Sequence, residues 1–174
     1  MSKITFIVGG ARSGKSRYAL KTALTRGAGK RVAFIATCEG LDGEMRKRIR
    51  LHQKTRPENW KTFEEPRSVA ALTKKIAGRF DLIIIDCLTL LVSNLRLGGT
   101  RASSIEKEIK NIMRNLRCCK AESVIVSNEV GLGIVPDNPM ARDFRDIAGR
   151  ANQLIASEAD NVYFMISGIP WRIK

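Results

Sequence analysis

The sequence predicts an α/β protein of three layers, with helices on both faces of a mainly parallel central sheet. Three observations carry this. Short β-branched runs alternate along the chain with stretches of helical pattern, the order that builds strand–helix–strand units. Leu82, Ile83, Ile84 and Ile85 follow one another with no polar residue between them. Such a strand is buried on both faces, as in a parallel sheet. A glycine-rich turn also separates the first strand from the first helix. The 174 residues, 44% of them hydrophobic, suit one core, and residues 1–174 are read as a single domain.

In chain order, a strand over 4–8 leads through the glycine-rich turn into a helix reaching about Arg26. A second strand covers 31–36. A helix follows over 44–54, with Asp42 able to cap it and Glu44 in its first turn. Met45 and Ile49 are spaced to face the sheet, whereas Glu44, Arg48 and His52 share another stripe. Next come a helix over 68–77, the buried strand over 82–86, and a glycine-containing stretch over 98–104 that reads as a flexible surface loop. A helix over 105–119, a strand over 123–127, a helix over 141–158 and a strand over 161–166 complete the order. No internal repeat or low-complexity linker interrupts it.

Composition narrows the function. No apolar run approaches the ~20 residues of a membrane span. One lysine precedes a five-residue apolar stretch at the N-terminus, too short for a secretory leader. The expected location is the cytoplasm. The balance of 31 basic to 17 acidic residues gives +14, and up to Trp60 there are 14 lysines and arginines against four acids. That excess suits phosphate-rich partners, nucleotide or nucleic acid, but equally a basic solvated surface. Aromatic residues are only 6%, with no cluster to stack bases, so nucleic acid is not expected as a partner. Cys38, Cys87, Cys118 and Cys119 form no CxxC pair and read as thiols in a reducing compartment. A single histidine, His52, excludes a multi-histidine metal site.

Gly9, Gly10, Ala11, Arg12, Ser13, Gly14, Lys15 and Ser16 match GxxxxGK[ST], and they follow a strand and open a helix. Glycines allow the tight turn that presents backbone N–H groups to an anion. The helix N-terminus adds partial positive charge in the same direction. Lys15 then reaches the β/γ-phosphates and Ser16 offers its hydroxyl to Mg²⁺. The fold class is thereby a three-layer P-loop NTPase fold. A P-loop site calls for an acid at the end of another core strand, and Asp86 closes the 82–85 run. A turn or helix-cap aspartate is its other reading. Asp81 begins that run and belongs at the opposite end.

His52 falls near the end of a helix crowded with Arg46, Lys47, Arg48, Arg50, Lys54 and Arg56. Neighbouring cations disfavour an imidazolium and keep the ring neutral, as a nucleophile must be. The same cations attract a triphosphate. Residue physics alone admits both a solvated histidine on a basic helix and a nucleophile.

GGARSGKS, the string Asp42, Glu44-Met45, Arg48-Ile49, His52, Arg56-Pro57, Trp60 and Glu64-Glu65-Pro66, and DCLTLLVSN from 86 to 94 occur together and in order. SNEVGLGIVPDN from 127 to 138 and FRDIAGRANQ from 144 to 153 follow them. Over nearly the whole chain this closely resembles the bifunctional adenosylcobinamide kinase/adenosylcobinamide-phosphate guanylyltransferase family of cobalamin nucleotide-loop assembly. The resemblance implies ATP- or GTP-dependent phosphorylation of adenosylcobinamide. It also implies guanylylation of adenosylcobinamide phosphate from GTP through a GMP-histidine intermediate, and a trimeric homo-oligomer. His52 occupies the family's nucleophile position and Lys15 serves the phosphates. Gly9 to Ser16, Ala36, Thr37 and Cys38, Gln53, Lys54, Thr55 and Arg56, and Glu64 and Asp86 then line the nucleotide site, although Thr37 and Cys38 read equally as ordinary strand-end residues. Ser16 and Asp86 hold Mg²⁺. Asn128 and Glu129, ending another core strand, are candidates for corrinoid or metal contact or for a structural turn. Some members carry Glu at the position of Asp86, and some a second histidine where Leu51 stands. Two rival readings remain: a monofunctional P-loop small-molecule kinase with His52 a bystander, and a basic nucleic-acid-binding P-loop protein.

Overall fold

The computed structural model describes residues 2–40, 43, 47, 50, 53 and 56–174. Strands β1 (Ile4–Gly9), β2 (Val32–Ala36), β3 (Lys61–Glu64), β4 (Leu82–Asp86), β5 (Glu122–Asn128), β6 (Asn161–Ile166) and β7 (Ile169–Arg172) form one sheet, ordered β3-β2-β4-β5-β1-β6-β7. All pairs are parallel except β6 with β7. The described helices are α1 (Lys15–Arg26), α2 (Val69–Ile76), α3 (Leu88–Leu97), α4 (Ala102–Cys118) and α5 (Pro139–Glu158).

The apolar runs of the strands split between two cores because successive side chains point to opposite faces. Phe6, Ile35, Ile83, Ile85 and Ile125 pack on one face with residues of α2, α3, α4 and α5. Ile7, Phe34, Leu82, Ile84 and Val124 pack on the other with Ala19 and Ala23 of α1 and with Trp60. Every residue of β1 is buried, as are Leu82 to Ile85 of β4. The three-layer, mainly parallel architecture expected from those runs is the one observed.

Several elements differ from expectation. The stretch over 98–104 is not an open loop. Gly98 N–H donates to Asn94 O and Thr100 N–H to Leu95 O, each at 3.0 Å, and α4 already begins at Ala102. The turn is a short connection between packed helices, and Gly99 takes the left-handed conformation (φ 81°) that closes it. α3, β3 and β7 were not expected. α3 follows β4 after one residue, with no glycine or proline between them to mark its start. β3 and β7 are sheet edges with little burial, and β7 carries Pro170, which an edge tolerates. Of the helix expected over 44–54, the described positions Lys47, Arg50 and Gln53 are helical, and so is Gly43 just before it. Asp42, Glu44, Met45, Arg46, Arg48, Ile49, Leu51 and His52 lie outside the described residues.

The sheet register aligns the strand ends that matter. Glu64 and Asp86 both pair with Ala36, which places two carboxylates on either side of β2. Gly9 pairs with Asn128 and with Met165. The carboxyl ends of six parallel strands thus meet at one rim, where open α/β sheets bind ligands.

Candidate functional site

The glycine loop runs from the end of β1 into α1. Gly9 leaves no room for a side chain: a Cβ there would lie 2.6 Å from Met165 O and 3.0 Å from Ser13 Oγ. Gly14 caps α1 in the left-handed region (φ 91°). Arg12, a non-glycine residue, also has positive φ (57°), a conformation that persists only where surroundings impose it. The loop is braced from two sides, by Gly168 N–H donating to Ser13 O at 3.0 Å and Glu129 N–H donating to Gly9 O at 2.9 Å. α1 has no acidic residue in its first turn, so its N–H groups and partial positive charge face the loop uncompensated.

Lys15 is 7% exposed. Its Nζ donates to Gly10 O at 2.5 Å and to Ser13 Oγ at 3.5 Å, so the ammonium is folded back onto its own loop. Burial pushes its pKa down, while the negative charge of nearby Asp86 works the other way. An incoming phosphate would take over the contact that Gly10 O now makes and relieve the desolvated charge.

Ser16 Oγ donates to Asp86 Oδ1 at 3.4 Å, bringing together the hydroxyl and carboxylate expected to serve a cation. Two oxygen donors facing one cavity suit Mg²⁺, which takes one or two protein oxygens and completes its shell with phosphate and water. Among the described residues no group of three or more His, Cys, Asp or Glu could hold a metal on its own. Asp81 sits at the other end of β4 and pairs with Arg31, whose Nη2 lies 2.9 Å away. Those hydrogen bonds hold its pKa down at about 2. Asp86, not Asp81, is thus the aspartate of β4 that lies beside the glycine loop.

A cavity of about 770 Å³ opens over this edge. Its walls include Ala11, Arg12, Ser13, Gly14, Lys15 and Ser16 on one side and Ala36, Cys38, Gln53, Arg56, Glu64 and Asp86 on the other. Arg56 stacks on Phe34, with its guanidinium carbon 3.8 Å from the ring centre. Burial depresses its pKa, opposed by Asp86 and Glu64. Among the described residues its buried Nη1 has no hydrogen-bond partner, an uncompensated donor that an anion would satisfy. Gln53 Nε2 donates to Glu64 Oε1 at 2.8 Å, tying the segment after His52 to the end of β3.

Other expected site residues sit differently. Gly9 and Gly10 shape the loop without lining the cavity. Thr37 is fully buried. Its hydroxyl donates to Cys87 O at 2.7 Å and accepts from Cys87 N–H at 2.8 Å, which spends it on joining β2 to β4. Thr37 is not among the residues that line the cavity. Glu129 accepts from Gly131 N–H at 3.0 Å and shapes a turn. His52, Lys54 and Thr55 lie outside the described residues. Arg17, Cys87, Leu90, Val126 and Asn128 also line the cavity and were not placed in the nucleotide site by sequence. Arg17 follows the motif by one residue, a signal that was available. Cys87 is a thiol pushed up to about 12 by burial, which rules it out as a nucleophile at neutral pH. Among the described residues the four cysteines form no disulfide.

A phosphate-cradling loop between the first strand and first helix, beside a second strand ending in aspartate, defines a P-loop NTPase-type nucleotide-binding protein. Solved structures agree on the fold. The flagellar accessory protein FlaH from Methanocaldococcus jannaschii superposes with TM-score 0.59 at 13% identity, covering 99% of this chain and 78% of that one. The RadB recombinase superposes with TM-score 0.54 at 16% identity, covering 93% and 73%.

Sequence comparison narrows the class to a family. The model described as cobinamide kinase/cobinamide phosphate guanyltransferase (CobU) matches residues 5–173, and the chain belongs to that enzyme family. The bifunctional adenosylcobalamin biosynthesis protein CobU of Salmonella typhimurium is 43% identical over 180 residues, covering 97% of this chain and 98% of that protein. Its namesake from Escherichia coli is 40% identical over 180 residues, with the same coverage. The bifunctional adenosylcobalamin biosynthesis protein CobP of Pseudomonas aeruginosa is 39% identical over 168 residues, covering 97% and 95%.

Proposed function

We propose that this chain carries out both reactions of its family, phosphorylating adenosylcobinamide and then guanylylating the product, with ATP and GTP as nucleotide substrates. The observation that carries the reading is one cavity shared by two sets of residues. Lys15, Ser16 and Asp86 form its phosphate end, and Gln53 and Arg56, just after His52 in the chain, form another wall.

In the kinase step the hydroxyl of the aminopropanol arm attacks the γ-phosphorus. The bond to the β,γ-bridging oxygen breaks, ADP or GDP leaves, and the hydroxyl proton is released. Lys15 and the loop N–H groups balance the charge on the phosphate oxygens. Ser16 and Asp86 would hold Mg²⁺, which would supply further charge neutralisation when bound. In the second reaction a ring nitrogen of neutral His52 attacks the α-phosphorus of GTP and pyrophosphate leaves. The phosphate oxygen of adenosylcobinamide phosphate then displaces the histidine and takes GMP, giving adenosylcobinamide-GDP. Covalent catalysis divides one hard displacement into two, each with a good leaving group. Arg56, half-buried and short of a hydrogen-bond partner, suits a guanine nucleotide phosphate.

Incubation with α-labelled GTP and Mg²⁺ should leave an acid-labile, base-stable label on the protein, as a phosphoramidate does. His52→Ala should abolish that label and largely spare γ-phosphoryl transfer. Undiminished labelling of His52→Ala would refute the nucleophile assignment. A homotrimer acting in the cytoplasm belongs to the same reading. Its surface would include Ile169 and Trp171 of β7, 69% and 62% exposed, and light scattering tests the assembly.

A further inference from the structure

β5 lies between β1, which delivers the phosphate loop, and β4, which ends in Asp86. Gly9 is in register with Asn128, and Asp86 with Val126. β5 therefore runs two residues past Asp86 and ends in the gap between the loop and that carboxylate. Asn128 lines the cavity at this point.

Both main-chain polar groups of Asn128 are held by buried side chains. Its N–H donates to Thr89 Oγ1 at 2.6 Å, and its carbonyl accepts from Asn152 Nδ2 at 3.1 Å. Ser127 Oγ lies 3.0 Å from Thr89 Oγ1 and donates to Asn152 Oδ1 at 2.6 Å. The four residues thus close a ring that joins α3, β5 and α5. Thr89, Ser127 and Asn152 are only 5%, 1% and 6% exposed. A satisfied polar ring in a core rigidifies its surroundings and specifies one geometry. The Asn128 side-chain amide, in contrast, makes no hydrogen bond among the described residues. Its backbone is locked from two helices while its amide remains available in the cavity.

We infer that Asn128 donates a side-chain N–H to an oxygen of the transferring γ-phosphoryl group, and that Asn152, Ser127 and Thr89 are positioning residues that hold it there. This rests on the phosphoryl-transfer reading above. The position follows from the register: Lys15 and the loop approach the phosphates from β1, Asp86 from β4, and Asn128 from the strand between them. A donor fixed before the nucleotide arrives needs no reorganisation as charge develops, which is where such groups act most strongly. No proton leaves the amide, so the stoichiometry of the transfer is unchanged.

Steady-state phosphoryl transfer by the full-length chain tests this. Asn128→Ala should lower kcat by about 10²-fold, with the nucleotide KM nearly unchanged. Asn128→Asp, of equal size but without the donor, should be no better. Asn152→Ala should lower kcat about tenfold by letting Asn128 shift. The double variant should be no slower than Asn128→Ala, because the ring acts through that one residue. Ser127→Ala replaces Asn152→Ala if the latter does not fold. Parental kcat in Asn128→Ala overturns the inference, and multiplicative losses in the double variant overturn the positioning role. A parent inactive toward cobinamide overturns the functional reading instead. In that case γ-phosphate release from ATP to water reads Asn128, and an unchanged rate in its alanine variant overturns the inference.

Discussion

Replacing Lys15 with methionine separates what this residue does for nucleotides from what it does for the fold. The ammonium is 7% exposed, with its short contact to Gly10 O at 2.5 Å. A hydrogen bond to a charged group contributes about 1.5–3 kcal/mol. Against it stands the cost of desolvating the ammonium, several kcal/mol even after relaxation. Burial lowers the pKa of Lys15, so desolvation outweighs the neighbouring negative charges. Methionine fills much the same volume without that cost, and Gly10 O can turn to water in the open cavity. The two terms should cancel to within about 1 kcal/mol, a change in Tm of about 2–4 °C for a chain of this size. Phosphoryl transfer is a different matter. Removing a preorganised cation from the phosphate site should lower kcat by about 10²–10³-fold. The assay is transfer of labelled γ-phosphate to cobinamide alongside thermal unfolding of the same preparation. Retained turnover would refute the phosphate role, and a Tm lower by more than about 10 °C would refute the claim that this charge is a structural burden.

Two further outcomes follow from particular contacts. Gly9→Ala should lower Tm by several degrees, because its Cβ would sit 2.6 Å from the backbone oxygen of Met165 and overpacking of this kind costs about 1–3 kcal/mol. Gly10→Ala meets nothing within 4 Å and should melt near the parent; equal losses from the two would show that the register with β6 does not constrain the loop. Asp160 accepts from Ile4 N–H at 2.7 Å and from Arg117 Nη1 at 2.8 Å, and these bonds hold its pKa below the ordinary 3.8. The unfolded chain then binds this proton more readily than the folded one, so its stabilisation is present above that ordinary value and fades as pH falls through the lowered one. Melting curves should show the parent above Asp160→Asn at pH 6 and the gap closing toward pH 2, whereas a pH-independent gap would contradict it.

The sheet was legible where burial leaves a one-dimensional trace. β4, buried on both faces, is an unbroken apolar run, and β1 and β2 read nearly as plainly. β3 and β7 left little trace because edge strands bury little, and α3 was hidden by following β4 after a single residue. The phosphate loop was legible because its eight residues are consecutive and its chemistry is local. Asp86 needed only the strand end. Asn128 was noticed as a strand end, yet its setting was not readable. It depends on β5 lying between β1 and β4, and on Asn152, which α5 brings back from 24 positions later in the chain. Thr37 shows the converse. Proximity to the site in sequence said nothing of side-chain direction, and alternation along β2 turns Thr37 toward Cys87 while Ala36 meets the cavity.

The charge of the chain also takes on a more definite meaning once the cavity is drawn. Among the described residues four basic side chains line it; Lys15 is buried and Arg56 half-buried, and each feels the negative charge of Asp86. Arg12 and Arg17 are exposed. Salt at physiological strength screens exposed charges beyond about 8 Å but reaches buried ones far less. The exposed pair can therefore draw a polyphosphate toward the rim, in a manner that weakens with ionic strength. Lys15 and Arg56, with the N–H groups of the loop, can hold it once there. A surplus of +14 spread over a surface would serve any anion. A buried and a half-buried cation at separate walls of one cavity, with Asp86 acting on both, suit an anion long enough to reach from one to the other.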